Sequence, residues 1–239
     1  MLEENSIYFN SIQGEHQKTL ENLTQSKNWD SAQFNKIIVT LGLIGNGQSI
    51  PARFRPESIN LQVYRKYFED LLERTKKEEK EHARAIFIDR EKQSVIISGV
   101  SVGIEGNSCI DDSPQPGREK FQSLIGSIHS HTMDITAHSF SDGDLGVFLS
   151  DKRQQFMIMV YGESMRLIVL KTSVTPNNMS IESLKRRISE ATKDSFSTGK
   201  VVMEQVVDFD KIICAEFGLV FYMATKSSDD FFKKINVVD

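Results

Sequence analysis

The sequence predicts an α/β fold in which helices pack on one β-sheet. Apolar residues recur at helical spacing from Ile59 to Leu72, and the short β-branched runs Ala85 to Asp89 and Ser94 to Gly99 follow as a hairpin pattern. A second hairpin pattern occupies Gln155 to Lys171, and a helical pattern follows it after Ser180. The alternation of helix, strands, helix, strands and helix indicates an α/β or α+β sandwich around a single sheet.

The composition is that of a globular protein with a packed core, since 39% of the 239 residues are hydrophobic and 26% are charged. Lys and Arg total 29 against 33 Asp and Glu, and the resulting net charge of −4 provides no general positive field for nucleic-acid phosphates. Cys109 and Cys214 are too few for a disulfide scaffold or a four-thiolate metal site, and are typical of a reducing compartment. A metal site would therefore use histidines and carboxylates.

The start of the chain, Met1 to Asn5, is acidic and polar, unlike a secretory signal. The most apolar stretch, Ile212 to Ala224, is shorter than the roughly 20 residues that span a bilayer. We therefore expect a cytoplasmic, intracellular protein with neither a membrane nor a nucleic-acid partner. Residues 1–50 are expected to form a polar N-terminal extension, residues 51–175 the central domain, and residues 176–239 a C-terminal extension of helix and strand that packs on it.

Two histidines form the strongest chemical signal. His129 and His131 directly follow the apolar strand pattern of Leu124 to Ile128. Residues i and i+2 of a strand project to the same face, so both imidazoles can be directed at one metal ion. A catalytic zinc ion takes three protein ligands and keeps a fourth position open for water. Asp142 is the best candidate for the third ligand.

The spacing His129-x-His131-x(7)-Ser139-x-x-Asp142 resembles the JAMM motif of the MPN-domain zinc hydrolases, His-Ser/Thr-His-x(7)-Ser-x-x-Asp. The preceding residues 125–128 are similar to the family's Val-Gly-aromatic-aromatic lead-in. The resemblance implies a Zn²⁺ ion held by His129, His131 and Asp142, with Ser139 placed to stabilise the tetrahedral intermediate. It covers residues 59–172 and implies an MPN (JAMM)-type fold, a central mixed β-sheet flanked by helices, with residues 51–175 as the catalytic domain.

The family also has a catalytic glutamate upstream of the histidines, and Glu81 best fits that position because it lies closest to the predicted strand. Glu78 and Glu79 are the nearest rivals. Arg84 and Ile88 replace the two glycines that the family shows after this glutamate. In the implied mechanism, the Glu81 carboxylate takes a proton from the attacking water and returns it to the leaving amine.

Structural interpretations remain open for several of these residues. Ser139 and Asp142 also match a Ser-x-x-acid capping box, which could exist with or without a metal. The family commonly has proline where this chain has Thr132 and His138, and this difference predicts a looser loop rather than a lost ligand. His16, His82 and the two cysteines are not expected to be metal ligands.

These inferences predict a zinc metallopeptidase that cuts a peptide or isopeptide bond, by resemblance after the C-terminal tail of a ubiquitin-like modifier. The polar loop from Gly106 to Gln122 lies where the family has an insertion that covers substrate. The alternative is an MPN-like scaffold or binding module with latent or lost activity, and a third possibility is a hydrolase of small molecules or nucleic acid. Under the first two hypotheses, residues 1–50 would dock a protein partner or block the site.

Overall fold

The structure is a computed structural model that describes residues 2–45, 49–53, 55–103, 110–132, 139–162, 165–176, 179–192, 203–224 and 230–235. In these ranges the side chains of 2–12, 192 and 203–206 are not described. The helices are α1 (Leu2–Leu23), α2 (Ser31–Ile44), α3 (Arg65–Glu78), α4 (Asp142–Ser150), α5 (Ile181–Thr192) and α6 (Met203–Phe217). The strands are β1 (Asn28–Trp29), β2 (Ser58–Asn60), β3 (His82–Asp89), β4 (Ser94–Ile97), β5 (Ser101–Val102), β6 (Gln122–Ser130), β7 (Phe156–Tyr161), β8 (Met165–Leu170), β9 (Val220–Ala224) and β10 (Phe231–Ile235).

Ten strands in the described ranges form one sheet. Their order is β1-β2-β10-β9-β8-β7-β6-β3-β4, and β5 pairs with β3. The pairs β1/β2 and β6/β7 are parallel, whereas the other neighbours are antiparallel. The mixed sheet flanked by helices confirms the predicted α/β class.

Helices cover both faces of the sheet because its central strands are apolar on both sides. β7 directs Ile158 and Val160 into a core shared with α2 and α3, and directs Met157 and Met159 into a second core shared with α4, α5 and α6. All residues of β7 are buried, as expected for a strand between two helical layers. The central position of β7 thus defines a face covered by α2 and α3, and an opposite face covered by α4, α5 and α6.

Both ends of the chain contribute to these cores. Asp30 caps α2 by accepting a hydrogen bond from the Gln33 amide at 2.7 Å, and Phe34 and Ile37 of this helix are fully buried. α1 packs on α2. At the other end, β10 lies between β2 and β9. The residues predicted as N- and C-terminal extensions therefore share the sheet and its two cores with residues 51–175.

No helix in the described part of the chain has both the length and the apolar character that a membrane span requires. The longest of these helices, α1, carries Glu3, Glu4 and Glu15 along its length. The apolar strands β7 and β8, of six residues each, are buried in the sheet.

Candidate metal centre

The end of β6 places the two predicted histidines side by side. His129 pairs with Ala83 of β3 on one side and with Met159 of β7 on the other, which fixes the strand between two neighbours. The side chains of His129 and His131 are buried, and their Nε2 atoms lie 3.1 Å apart. The two imidazoles therefore share one face of the sheet, as the i, i+2 spacing predicted.

A carboxylate from α4 completes a group of three ligand atoms. The Oδ2 atom of Asp144 lies 3.1 Å from Nε2 of His131 and 3.6 Å from Nε2 of His129. A tetrahedral zinc ion with bonds of 2.0–2.1 Å separates its ligand atoms by roughly 3.3–3.4 Å. The three observed separations lie on both sides of that value, so the donor set fits an ion of this size.

The third ligand predicted from the sequence was Asp142, but the carboxylate that lies beside the two histidines in the structure is that of Asp144. Asp142 is exposed, and its Oδ1 atom accepts a hydrogen bond from the Gly143 amide at 2.9 Å. Successive residues of an α-helix are rotated by roughly 100°, so residues two positions apart point to nearly opposite sides. Because α4 begins at Asp142, Asp144 faces the histidines and Asp142 faces away.

The serine that contacts this acid is also two positions later than predicted: it is Ser141 and not Ser139. Ser141 is the N-cap of α4: its hydroxyl accepts a hydrogen bond from the Asp144 amide at 3.0 Å and donates one to Asp144 Oδ2 at 2.7 Å. The hydroxyl of Ser139, the predicted catalytic serine, donates to the Phe140 carbonyl oxygen at 3.3 Å. The capping box thus joins Ser141 to Asp144, and the same carboxylate serves both the cap and the histidines.

This shift had a visible signal in the sequence. Ser141-Asp142-Gly143-Asp144 repeats the Ser-x-x-Asp spacing of Ser139-Phe140-Ser141-Asp142 two residues later. The two copies overlap, and only the second places its serine directly before the first helical residue. Periodicity in a helix this short does not distinguish them.

The histidines keep Asp144 ionised. Burial by itself would raise the pKa of this carboxyl, but the charges and hydrogen bonds of His129 and His131 outweigh burial and hold the pKa well below its usual range. The side chain is 15% exposed, so it lies at the boundary between the buried histidines and the surface. Asp144 can therefore present a charged oxygen to a cation at neutral pH.

Glu81 lies at the same end of the sheet. It is 8% exposed and directly precedes β3, in which Ala83 pairs with His129. In an antiparallel pair, the residue two positions before Ala83 comes level with the residue two positions after His129, which is His131. From this register, extended two residues past its last observed pair, we infer that Glu81 lies opposite His131 and on the same face of the sheet.

The rivals of Glu81 have other positions. Glu78 contacts the ring of His82, whose Nε2 atom lies 3.1 Å from Glu78 Oε2. Because His82 is the neighbour of Glu81 on the strand, it points to the opposite face and is fully buried there. Glu79 ends α3 in the left-handed conformation, with φ of 53°. Cys214 is buried, whereas His138 and Cys109 lie outside the described residues.

A groove of about 370 Å³ runs beside His129 and Asp144. One wall is α4, which contributes Val147, and the other wall contains Ile110 and Asp112. The latter two belong to the loop from Gly106 to Gln122 that was expected to cover substrate, of which residues 110–122 are described. Near the end of α4, Arg153 joins the two walls, since its Nη2 atom lies 2.5 Å from Asp112 Oδ2 and 2.8 Å from Asp151 Oδ2.

A second acid, Asp210 of α6, is buried near this site, and within the described part of the chain no donor makes a well-formed hydrogen bond to its oxygens. Burial raises the pKa of Asp210 well above its usual range; the Phe140 amide opposes this shift and the charge of Asp144 adds to it. The folded state thus binds this proton more tightly than the unfolded state does. Ionisation of Asp210 therefore lowers stability as the pH rises above about 3.9, the ordinary value for the unfolded chain.

We therefore expect Asp210→Asn to raise the melting temperature of the metal-free protein at pH 8 but not at pH 4. Each kcal/mol gained corresponds to roughly 2–4 °C in a chain of this size. The matched control is Asp208→Asn, because Asp208 is an exposed acid on the same helix, paired with Lys211. Calorimetry in the presence of a chelator measures the effect. Equal melting temperatures for wild type and Asp210→Asn at pH 8 would show that this buried carboxyl carries no charge penalty.

The chain matches no protein-family model, no curated protein and no solved structure. Its likeness to the JAMM motif therefore depends on its own residues. The cluster of His129, His131 and Asp144 and the groove beside it are the features that bear on function.

Proposed function

We propose that this protein is a zinc-dependent hydrolase of the JAMM type, which cleaves a peptide or isopeptide bond after the C-terminal tail of a ubiquitin-like modifier. The observation that carries the proposal is the cluster of His129, His131 and Asp144, whose ligand atoms have the separations of a tetrahedral zinc site. The motif resemblance supports it with one change: residues 132–140 give nine positions, rather than seven, between the second histidine and Ser141.

The residues divide the chemistry among themselves. His129, His131 and Asp144 would hold the metal, and Ser141 orients the Asp144 carboxylate. A bound zinc ion supplies Lewis acidity, which polarises a carbonyl oxygen and makes water nucleophilic near neutral pH. Glu81, which the extended register brings opposite His131, would accept the proton of that water and return it to the leaving amine. That the Ser139 hydroxyl donates a hydrogen bond to the developing oxyanion remains a prediction.

The groove favours an extended peptide as substrate. From Asp144 to Asp151 the helix axis advances by roughly 10 Å, at 1.5 Å per residue. An extended chain advances about 3.3 Å per residue, so this length accommodates about three residues. Gly143 contributes no side chain beside the metal ligands, and Ile110 and Val147 offer apolar contacts farther along. The apolar residues of the groove suit the side chains of an extended tail.

The experiment that tests this function combines metal analysis with a substrate panel. We expect the purified chain to bind one zinc ion and to cleave at least one modifier–lysine conjugate or linear modifier fusion. Chelation should abolish the cleavage and added zinc should restore it. A protein that holds one zinc ion per chain but cleaves no member of the panel would instead favour the scaffold or binding-module alternative. A protein that holds no zinc would contradict the proposal.

A bulky residue in the groove should block substrate without disturbing the metal. Val147 is 52% exposed and lines the groove, so Val147→Trp is expected to fold and to raise KM at least about 10-fold, because roughly 1.4 kcal/mol of lost contact gives that factor. Val63 has the same exposure, 53%, next to α3, on the opposite face of the sheet, and Val63→Trp is the matched control. Steady-state kinetics and zinc titration measure both. An unchanged KM in Val147→Trp would remove the groove from substrate binding.

A further inference from the structure

The ladder between β3 and β6 ends next to Glu81 and His131. The ladder between the two strands runs from Asp89 and Gln122 to Ala83 and His129, and ends there. The next pair in register is His82 and Ser130. These two residues are joined through a side chain: the Ser130 hydroxyl accepts a hydrogen bond from the His82 amide at 3.1 Å and donates one to the His82 carbonyl oxygen at 3.2 Å. A side-chain hydroxyl thus ties the two strands together at the end of their ladder.

Beyond that point, each strand is held by its other neighbour. β6 continues along β7, where Ser130 pairs with Val160 and the His131 amide donates to the Val160 carbonyl at 3.2 Å. The start of β3 stays with β5, since the Gly103 amide donates to the Glu81 carbonyl at 2.8 Å. Glu81 and His131 thus lie directly beyond the last pair of the β3–β6 ladder, one on the continuation of each strand.

A buried network fixes the hydroxyl at the end of this ladder. The Ser130 Oγ atom lies 2.5 Å from Thr75 Oγ1 on α3, and Thr75 Oγ1 lies 3.2 Å from Nδ1 of His82. Ser130, Thr75 and His82 are all buried. Their shielding from solvent means that water cannot readily replace a lost partner, so the position of Ser130 depends on these contacts.

We propose that Ser130 is a positioning residue, whose hydroxyl sets the separation between Glu81 and His131. This inference rests on the proposed function, in which Glu81 acts on a water molecule held near the histidines. The side chain of Ser130 points to the face opposite those of His129 and His131, so it acts through the backbone and not by contact with the metal.

Removal of the hydroxyl leaves two buried backbone groups of His82 without this partner. The ends of β3 and β6 must then shift for these groups to regain partners, and this shift changes the position of Glu81 relative to His131. Serine and threonine both carry the hydroxyl, and alanine does not. Ser130→Thr should therefore preserve the contacts with His82, whereas Ser130→Ala should remove them.

The test compares Ser130→Ala with Ser130→Thr in the zinc-loaded full chain. We expect Ser130→Ala to lower kcat by roughly 10- to 100-fold, since small misplacement of a reacting group has effects of this size. KM and zinc content should stay at their wild-type values, and Ser130→Thr should retain most of the activity. If Ser130→Ala only destabilised the fold, the melting temperature would fall, but kcat of the folded protein would not fall at constant KM.

The matched control is Ser58→Ala. Ser58 is also a buried strand serine, and its hydroxyl donates to Asn28 Oδ1 at 2.7 Å on β2, five strands away from the histidines in the order of the sheet. This variant should lose comparable stability and keep its kcat. An equal fall of kcat in Ser58→Ala and Ser130→Ala, or no fall in Ser130→Ala, would overturn the positioning role.

A crystal structure of Ser130→Ala separates this inference from the proposed function. We expect the Cα–Cα distance between Glu81 and His131 to differ from that of the wild type by about 1 Å, because a misplacement of this size can cost about 100-fold in rate. An unchanged separation would refute the role of Ser130 whether or not the protein hydrolyses amides. If the wild-type protein cleaves no substrate while the variant shows the shift, the proposed function fails and the structural role of Ser130 stands.

Discussion

Asp144→Asn is expected to lose stoichiometric zinc binding, whereas Asp142→Asn should keep it. The asparagine has nearly the same shape but brings no charge to the Oδ2 position between the two histidines. Loss of an outer partner of a metal ligand already lowers affinity by 10- to 100-fold, so loss of a ligand itself should exceed roughly 100-fold. Competition with a chromophoric zinc chelator measures both affinities.

Asp142→Asn is a close control because both acids lie in the first turn of the same helix. A change there alters the charge near the helix N-terminus equally but not the metal contacts. If Asp142→Asn lost zinc and Asp144→Asn retained it, Asp142 would be the third ligand, as the motif spacing predicts, and Asp144 would not.

The metal-free protein offers an independent measurement on Asp144. Its pKa in the folded state is depressed by His129 and His131 despite burial, so ionised Asp144 stabilises the fold above its unfolded pKa, near 3.9. That stability is lost as the pH falls from about 3.9 through the depressed folded value. In the presence of a chelator, Asp144→Asn should therefore be less stable than wild type at pH 7, and the difference should shrink in strongly acidic solution. An identical pH dependence of the two unfolding curves would argue against the ion pairs.

The fold class and the histidine pair followed from local patterns. The strand spacing placed His129 and His131 on one face because alternation along a strand is fixed by its geometry. Local spacing could not distinguish Asp142 from Asp144 as the acid beside the histidines. The choice depends on which of two overlapping serines caps α4, and Ser141 does so in a helix that packs through Leu145 and Phe148 on the sheet. The first residue of α4 therefore depends on how the helix packs on the sheet, and local sequence spacing does not determine it.

The extensions at the two ends illustrate the same limit. Polar residues dominate the first fifty positions, yet Phe34, Ile37 and Leu41 bury one side of α2 completely. β10 pairs with β2, a strand far earlier in the chain, and hydrophobic pattern alone does not name a strand's partner. The pairing of β10 with β2 could therefore not be predicted from the sequence and is seen only in the structure.

Glu81→Gln is expected to keep zinc and to lose turnover. Glutamine preserves the size of the side chain but cannot accept a proton, and a general base contributes about 10²- to 10⁴-fold to the rate. We expect kcat to fall within that range at every pH, with KM and zinc content close to wild type. Single-turnover kinetics on a cleavable modifier fusion, together with metal analysis, measure the separation.

Glu78→Gln and Glu79→Gln are the matched controls because both acids lie within three residues of Glu81 and neither lies level with His131. Glu79→Gln should retain turnover, since Glu79 only ends α3. Glu78→Gln removes a charge next to His82, which bonds to Thr75 and Ser130, so any loss there should resemble a weak Ser130→Ala and leave a proton acceptor in place. A loss in Glu78→Gln or Glu79→Gln as large as that in Glu81→Gln would mean that the base is another residue, because the register that puts Glu81 opposite His131 gives neither neighbour that position.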